Sequence, residues 1–270
     1  MPVIAVFNQK GGVGKTTTTL NLGAALTARG HQPILIDLDP QASLTVAMGI
    51  RNVAPGQSLF AFFKGEQSLS ALTRTSPSGQ HLVPASVDLA KIESLHGGDP
   101  STARRLKEGI ASEYPDTARP ILIDCCPMLG VLTLSALLAA DHVLVPISAD
   151  FLSFEAAGKL HLALGVLEQR LNKHFVRHLV VTRFDGRRKL SYSIYRDLKA
   201  RFGGALCDTV ITESVTLAES PLHGKNIFGY APGSQGAVDY KALAEELDNG
   251  RFFPALGGPA TAAENLGDAS

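Results

Sequence analysis

The sequence predicts an α/β fold, one doubly wound and mainly parallel sheet flanked by helices, from three observations. Short apolar runs (Val3–Phe7, Ile34–Leu38 apart from Asp37, and Ile121–Ile123) have the form of strands buried on both faces. Helical patterns alternate with such runs along the chain. A glycine-rich turn, Lys10 to Thr17, sits between the first run and the first helix. The 270 residues, 45% hydrophobic and 19% charged, suffice for a sizeable core. No internal repeat or dividing linker stands out, so one domain is expected over residues 1–250. Residues 251–270, rich in Gly, Ala and Pro toward their end, are expected to form a flexible tail.

Taken in order, Val3–Phe7 reads as a strand. Thr16–Arg29 is a helix with Leu22, Ala25 and Leu26 on one face; Gly23 and Ala24 allow close packing, and Gly30 closes it. Pro33 precedes the strand Ile34–Leu38, which completes a βαβ unit at Asp39-Pro40. Helices are expected at Ser58–Lys64, Val87–Leu95 and Ser101–Ser112, with a short strand at His81–Pro84. Ile121–Asp124 is a strand ending in a carboxylate, Val131–Ala140 a helix and His142–Pro146 a strand. Phe151–Leu171 is a long helix, Leu179–Thr182 a strand, Ser191–Phe202 a helix, Leu206–Ile211 a strand and Ala237–Leu247 the last helix.

The chemistry concentrates at the ends of three strands. Gly11, Gly12, Val13 and Gly14 let the backbone fold into a nest of inward N–H groups, and the following helix adds its positive end. Lys15 would reach β- and γ-phosphates, and the Thr16 hydroxyl would ligate Mg²⁺, with Thr17 next to it. Lys10, a second lysine at the front of the loop, is not required for phosphate binding as such. Asp124 has the form of a Mg²⁺-holding carboxylate, and Asp37 and Asp39 end the strand after the loop helix. A lone aspartate at such a place is usually a cap or turn residue. Three segments converging on one sheet edge favour a nucleotide with Mg²⁺.

Several classes are excluded or disfavoured. Cys125, Cys126 and Cys207 form neither a C-x-x-C pair nor a disulfide framework, which fits a reducing cytoplasm. The N-terminus carries no basic n-region. The longest apolar candidate, Val131–Ala140, is too short to span a membrane and is broken by Asp141 and His142. His142, His161 and His174 read as surface or core-edge groups. Net charge is zero, yet residues 170–201 carry ten cations (Arg170, Lys173, Arg177, Arg183, Arg187, Arg188, Lys189, Arg196, Lys199, Arg201) against Asp185 and Asp197. A local excess of that kind suits a polyanion, although charge runs are more often solvated helix faces.

The runs Lys10-Gly-Gly-Val-Gly-Lys15-Thr16-Thr17, Asp37-Leu-Asp39-Pro40-Gln41 and Ile-Leu-Ile-Asp124 resemble the three signatures of the ParA/MinD family of deviant Walker A P-loop ATPases. Ala231-Pro232 and Leu217 to Lys225 resemble the ParA branch, and the likeness spans about residues 1–250. The resemblance implies a homodimer in the ATP state, with Lys10 of each subunit reaching the other's phosphates as a cation in trans. It implies that Asp39 orients the attacking water or accepts its proton, that Asp37 and Asp124 help set the Mg²⁺ shell, and that turnover is slow until an adaptor or ParB-like partner stimulates it. It further implies non-specific DNA binding, for which Arg183, Arg187, Arg188, Lys189, Arg196, Lys199 and Arg201 are the candidates, and a cytoplasmic, nucleoid-associated protein whose cargo is a partition complex or a protein assembly.

Two departures are visible. Thr216 stands where ParA relatives commonly have an arginine, and Cys126 where proline is frequent; Cys126 is expected to be small, buried and unreactive. Asp150 either pairs with Lys10 or caps the next helix. A MinD-like membrane-surface switch is the alternative, disfavoured because no amphipathic helix follows Leu247. A nitrogenase iron-protein-type reductase lacks its cluster cysteines. A cobyrinate-type amidase lacks a second catalytic domain and an evident nucleophile–His pair.

Overall fold

In the computed structural model, which describes residues 2–115 and 119–249, the apolar runs form β1 (Val3–Val6), β2 (Ile34–Asp37) and β5 (Ile121–Asp124). Every residue of these three strands is buried. Strands so short and so apolar cannot have a wet face, and helices cover both sides of the sheet. The other strands are β3 (Arg74–Thr75), β4 (His81–Val83), β6 (His142–Ser148), β7 (Val176–Phe184) and β8 (Leu206–Thr212). They join in one eight-stranded sheet of order β3-β4-β2-β5-β1-β6-β7-β8. All pairings are parallel except β3 with β4. The expected doubly wound, mainly parallel sheet is present.

Alternation along the strands sorts the core into two faces. Val3, Ala5 and Phe7 join Ile36, Ile123 and Val145 in a cluster that Leu106, Leu132 and Leu160 cover from three helices. Ile4 and Val6 face the other way, with Leu122 and Leu144, against Leu22 and Leu26 of the helix Lys15–Ala28 and Tyr240, Leu243 and Leu247 of the helix Gln235–Asp248. Gly23 lets the first of these helices lie close on the sheet: a Cβ there would stand 2.9 Å from Leu35 Cδ1.

Boundaries shift by small amounts. The strand expected at Leu179–Thr182 is β7, which extends to Val176 and Phe184 because Arg177 reaches Glu168 and remains in the ladder with β6. The helix expected at Ser191–Phe202 begins at Lys189. Four short helices (Ser43–Ala47, Leu69–Leu72, Val215–Glu219, Ile227–Tyr230) and the two-residue β3 carry too few residues for a periodic signal. The expected tail, 251–270, lies outside the described residues.

Candidate nucleotide site and basic segment

Parallel strands deliver their carboxyl ends to one edge, and the register is strict: Val6 of β1 pairs with Asp124 of β5, and Asp124 with Asp37 of β2. The loop leaves β1 at this edge. Its entry is tied down by the buried Asn8, whose amide donates to the Pro146 carbonyl at 2.8 Å while its oxygen accepts from Lys10 N–H at 3.0 Å. The Thr182 hydroxyl donates to the Val13 carbonyl at 2.8 Å, anchoring the middle to β7. Gly12 and Gly14 hold φ of +73° and +90°, values that other residues rarely adopt. Gly14 precedes the helix Lys15–Ala28, and no side chain caps that helix start. Its first N–H groups face the loop concavity, the arrangement that binds phosphate oxygens.

The expected groups meet here. Lys15 is buried and its Nζ lies 3.2 Å from the Lys10 carbonyl; burial lowers its pKa against the opposing charges of Asp124 and Asp39. The Thr16 hydroxyl donates to Asp124 Oδ2 at 2.7 Å, placing the two Mg²⁺ candidates in contact. Asp124 is fully buried, and its carboxyl is pushed well up by desolvation and then by the charge of Asp37, with the Thr16 hydrogen bond opposing. Asp37 rises to about 6, again through desolvation, which outweighs bonds to its Oδ2 from Thr45 N–H at 2.8 Å and Oγ1 at 2.6 Å. Its Oδ1 accepts from the Asp39 N–H at 3.2 Å. Both Asp37 oxygens are therefore engaged by the chain, and Thr45 is a site residue that the sequence did not reveal.

Two buried carboxyls side by side make this edge favourable for a cation. Among the described residues no group of three or more His, Cys, Asp or Glu could hold a metal ion alone. Thr16 and Asp124 supply hard oxygen donors, which fits Mg²⁺ completed by phosphate oxygens and water.

Asp39 is half-buried, accepts the Gln41 N–H at 2.8 Å through Oδ1, and lines with Gln41, Ser43 and Pro127 a cleft of about 430 Å³ over Gly11–Thr17. A second cleft, of about 330 Å³, shares Gly12, Gly14 and Thr17 with the first and continues over the carboxyl ends of β7 and β8. Thr182, Arg183, Glu213 and Leu217 line it, with Tyr240 beneath. Tyr240 is buried and its hydroxyl is 3.2 Å from Thr18 Oγ1.

Lys10 is not in the phosphate cradle. Its ammonium donates to Asp150 Oδ1 at 2.8 Å and Ser153 Oγ at 2.7 Å. Asp150 also caps the helix Phe151–Leu171 through the Ser153 N–H at 2.8 Å, so the two roles expected for it are both filled. Partial burial opposes ionisation of Asp150, but its hydrogen bonds from Lys10 and Ser153 outweigh this and hold the carboxyl down at about 2.

The basic segment does not form one face. Arg187 and Arg188 are exposed at the carboxyl edge just past β7, sharing Asp185 at 2.9 and 3.1 Å, with exposed Lys189 next to them. Arg183, also exposed, belongs to the second cleft and pairs with Glu213 at 2.9 Å. Arg196 is exposed midway along the helix Lys189–Phe202. That helix turns back against the strand direction, so Lys199 and Arg201 stand at its far end from Arg187. There Lys199 pairs with Asp208 at 2.5 Å, and Arg201 lies over the Phe154 and Phe202 rings, against the first turns of the helix Phe151–Leu171. Thr216, in place of the expected arginine, exchanges a hydrogen bond with Ser214 at 2.7 Å.

Comparison with known proteins places this geometry. A family model described as an AAA domain matches residues 1–176. The chain is 36% identical over 250 residues to the chromosome partitioning protein ParA of Caulobacter vibrioides, covering 91% of this chain and 93% of that protein. It is 39% identical over 245 residues to the chromosome-partitioning ATPase Soj of Thermus thermophilus, covering 90% and 94%. A solved structure of cobyrinic acid a,c-diamide synthase from Mycobacterium smegmatis, with an ATP analogue and magnesium bound, superposes with a TM-score of 0.79 at 30% identity, covering 94% of this chain and 98% of that one. Length therefore does not separate the chain from an amidase of that kind. The cysteines are a better guide: all three are buried, and burial pushes the Cys125 and Cys126 thiols up, away from the thiolate that a nucleophile requires. No helix among the described residues is long and apolar enough to cross a membrane. With the loop, the paired aspartates and relatives that match over nine-tenths of its length, the chain belongs to the ParA/MinD family of deviant Walker A P-loop ATPases, on its ParA branch.

Proposed function

We propose that the protein is a nucleotide-switched partition ATPase that dimerises on binding ATP with Mg²⁺ and binds DNA without sequence preference. In the cytoplasm, on the nucleoid, it positions or segregates a cargo, either a partition complex or a protein assembly. A ParB-like adaptor stimulates hydrolysis and resets it. The observation that carries this reading is Lys10, a cation stored on Asp150 and Ser153 beside the phosphate cleft instead of inside it. Its side chain is 31% exposed, so it can leave. Bringing two triphosphates together costs Coulomb energy, and a lysine contributed by each subunit to the other offsets that cost.

In this scheme the loop N–H groups and Lys15 hold the phosphates, and Thr16 and Asp124 hold Mg²⁺, which when bound neutralises charge on the transferring phosphoryl group. Asp39 keeps Oδ1 on the Gln41 N–H and lines the cleft over the loop, where it would orient the attacking water. Asp37, with both oxygens held by Thr45 and the Asp39 N–H, fixes the backbone at Asp39 and would help set the Mg²⁺ shell from behind Asp124 instead of ligating the ion directly. Arg187, Arg188 and Lys189, at the same edge as the nucleotide, are the cations best placed to give DNA binding that depends on the nucleotide state; phosphate contacts of this kind weaken steeply with salt.

The test is sedimentation and DNA binding of wild type, Lys10→Ala, Lys15→Ala and Asp39→Ala with ATP or ADP across salt. The expected result is a dimer that needs ATP, persists in Asp39→Ala and is absent in Lys15→Ala. Monomers under every nucleotide condition would refute the switch.

A further inference from the structure

Besides the phosphate loop, two segments line the first cleft: Asp39, Gln41 and Ser43 past β2, and Pro127 in the stretch 125–130 that follows Asp124. That stretch runs straight into the helix Val131–Ala139, whose start has no side-chain cap from Gly130. Glu93, from the helix Leu89–His96, caps it instead. Its Oε2 accepts the Val131 N–H and its Oε1 the Leu132 N–H, each at 3.0 Å. Both carboxylate oxygens are thus spent on the positive end of another helix. Gly130 is matched to this contact. Its φ of −107° and ψ of −167° are extended and open to any residue, but a Cβ there would collide with Glu93 Oε2. Glycine stands at this position for room, not for backbone freedom.

Helix capping alone does not require such a pair. Ser, Asp or Asn at position 130 would cap the helix without help from a second one. What the glycine and the glutamate add is a tie between the stretch 125–130 and the helix Leu89–His96. That helix is already tied to the other segment of the cleft. Shortly before it, the Ala85 N–H donates to Thr45 Oγ1 at 3.0 Å. The Thr45 hydroxyl donates to Asp37, and Asp37 accepts the Asp39 N–H. On the far side, the Thr133 hydroxyl donates to the Met128 carbonyl at 2.6 Å and keeps the turn after Pro127 compact. Contacts therefore run from Asp39 through Asp37, Thr45 and Ala85 to Glu93, and from Glu93 through Val131 back to Pro127. Glu93 closes this ring behind the cleft.

We propose that Glu93 is a positioning residue for hydrolysis: by holding the start of the helix Val131–Ala139 to the helix Leu89–His96, it fixes Pro127 relative to Asp39 and so the space in which water meets the terminal phosphate. With both oxygens on backbone N–H groups, it acts through the two segments and not on the reacting atoms. The inference rests on the reading of the cleft as an ATPase site. Phosphate affinity, which comes from the loop N–H groups and Lys15, does not depend on the ring, whereas a misplacement of about 1 Å at reacting groups costs on the order of a hundredfold in rate.

The test compares the full chain as wild type, Glu93→Ala, and Glu93→Ala combined with Gly130→Ser. The serine restores a cap within the helix, in the room the carboxylate leaves, but not the tie to the helix Leu89–His96. Three quantities are read: melting temperature, Mg²⁺–ADP affinity by calorimetry, and single-turnover ATP hydrolysis well below the melting temperature. Glu93→Ala is expected to melt lower, to bind ADP as wild type does, and to hydrolyse ATP roughly ten- to a hundredfold more slowly. The double variant is expected to regain the melting temperature and to stay slow. Sedimentation with ATP in an Asp39→Ala background is expected to show the same dimer with and without Glu93→Ala. An undiminished rate in Glu93→Ala overturns the proposal. So does a double variant that regains rate together with stability, which would make Glu93 a helix cap only, and so does a lost dimer, which would move the effect to association. A wild type that neither binds ADP nor hydrolyses ATP would overturn the reading of the cleft itself, a result distinct from all of these.

Discussion

Replacing Asp150 by Asn isolates the storage of Lys10 from the capping of the helix. Asn is as good a helix cap as Asp, and it keeps an oxygen for the Ser153 N–H, now accepted at 2.8 Å. What disappears is the charge opposite Lys10 Nζ, at 2.8 Å. In bulk water two unit charges at that distance attract by about 1.5 kcal/mol. With the side chains 31% and 43% exposed and a lysine to immobilise, about 1 kcal/mol is the reasonable share. The loss to monomer stability is therefore about 1 kcal/mol or less. Dimerisation should move the other way. If each Lys10 must leave its Asp150 to reach the partner's phosphates, wild type spends this amount twice per dimer. Asp150→Asn removes about 2 kcal/mol from the cost, or roughly thirtyfold in the dimer dissociation constant. The measurement is sedimentation equilibrium with ATP and Mg²⁺ in an Asp39→Ala background, so that hydrolysis does not intervene. A dimer constant that is unchanged or weaker, in a variant that melts normally, would refute the idea that Lys10 is stored for use in trans.

Three further outcomes are expected. Desolvation, partly offset by Thr45, raises the Asp37 carboxyl from 3.8 to about 6, so its neutral form favours the nucleotide-free fold fully below pH 3.8 and this support is lost as pH rises through 6. Asp37→Asn should therefore gain in melting temperature relative to wild type as pH goes from 5 to 7.5 without Mg²⁺; a constant difference would contradict that origin. Gly23→Ala pushes a methyl to 2.9 Å from Leu35 Cδ1 and should destabilise by about 1–3 kcal/mol in urea unfolding, against the gain that helix propensity alone would give. Replacing Arg187, Arg188 and Lys189 by Ala together should weaken ATP-dependent DNA binding and flatten its salt slope by about two to three. Lys199→Ala with Arg201→Ala, whose side chains are engaged by Asp208 and by the Phe154 and Phe202 rings, should leave that slope nearly unchanged.

Much of the fold was legible because its strands are short and apolar on both faces, and such runs advertise themselves wherever a glycine turn or a terminal aspartate bounds them. Val3–Phe7, Ile34–Leu38 and Ile121–Asp124 were of this kind, and the loop between the first and its helix could be read residue by residue. Less legible were elements set by tertiary contact. β3 exists only as a pairing with β4, and the helix Ser43–Ala47 is a single turn whose Thr45 bonds Asp37. The second cleft leaves no sequence signal, since Thr182, Glu213 and Tyr240 are far apart in sequence and converge only because β7, β8 and the last helix are neighbours. For the cations, sequence proximity misled: a helix that reverses direction sends Lys199 and Arg201 away from Arg187 although only a dozen or so residues intervene.

The site also explains why such a protein needs a carboxylate pair that is costly to bury. Asp37 and Asp124 are locked in register by β2 and β5, so neither can move away from the other without disturbing the sheet. Thr16 bonds Asp124, Thr45 bonds Asp37, and Asp37 bonds the amide of Asp39. The phosphate loop and the segment that carries Asp39 therefore meet through two strand ends and not through a flexible contact. A cation held at Thr16 and Asp124 would relieve repulsion at Asp124 and, through the same register, at Asp37. The Asp39 segment is one hydrogen bond from the group that feels this change. Lys10 is stored on the other side of the loop, on Asp150, and the loop is tied to that side by Asn8 and Thr182. In the proposed switch, occupancy by nucleotide would bear at once on Asp39 and on Lys10, so hydrolysis and association would share one set of contacts.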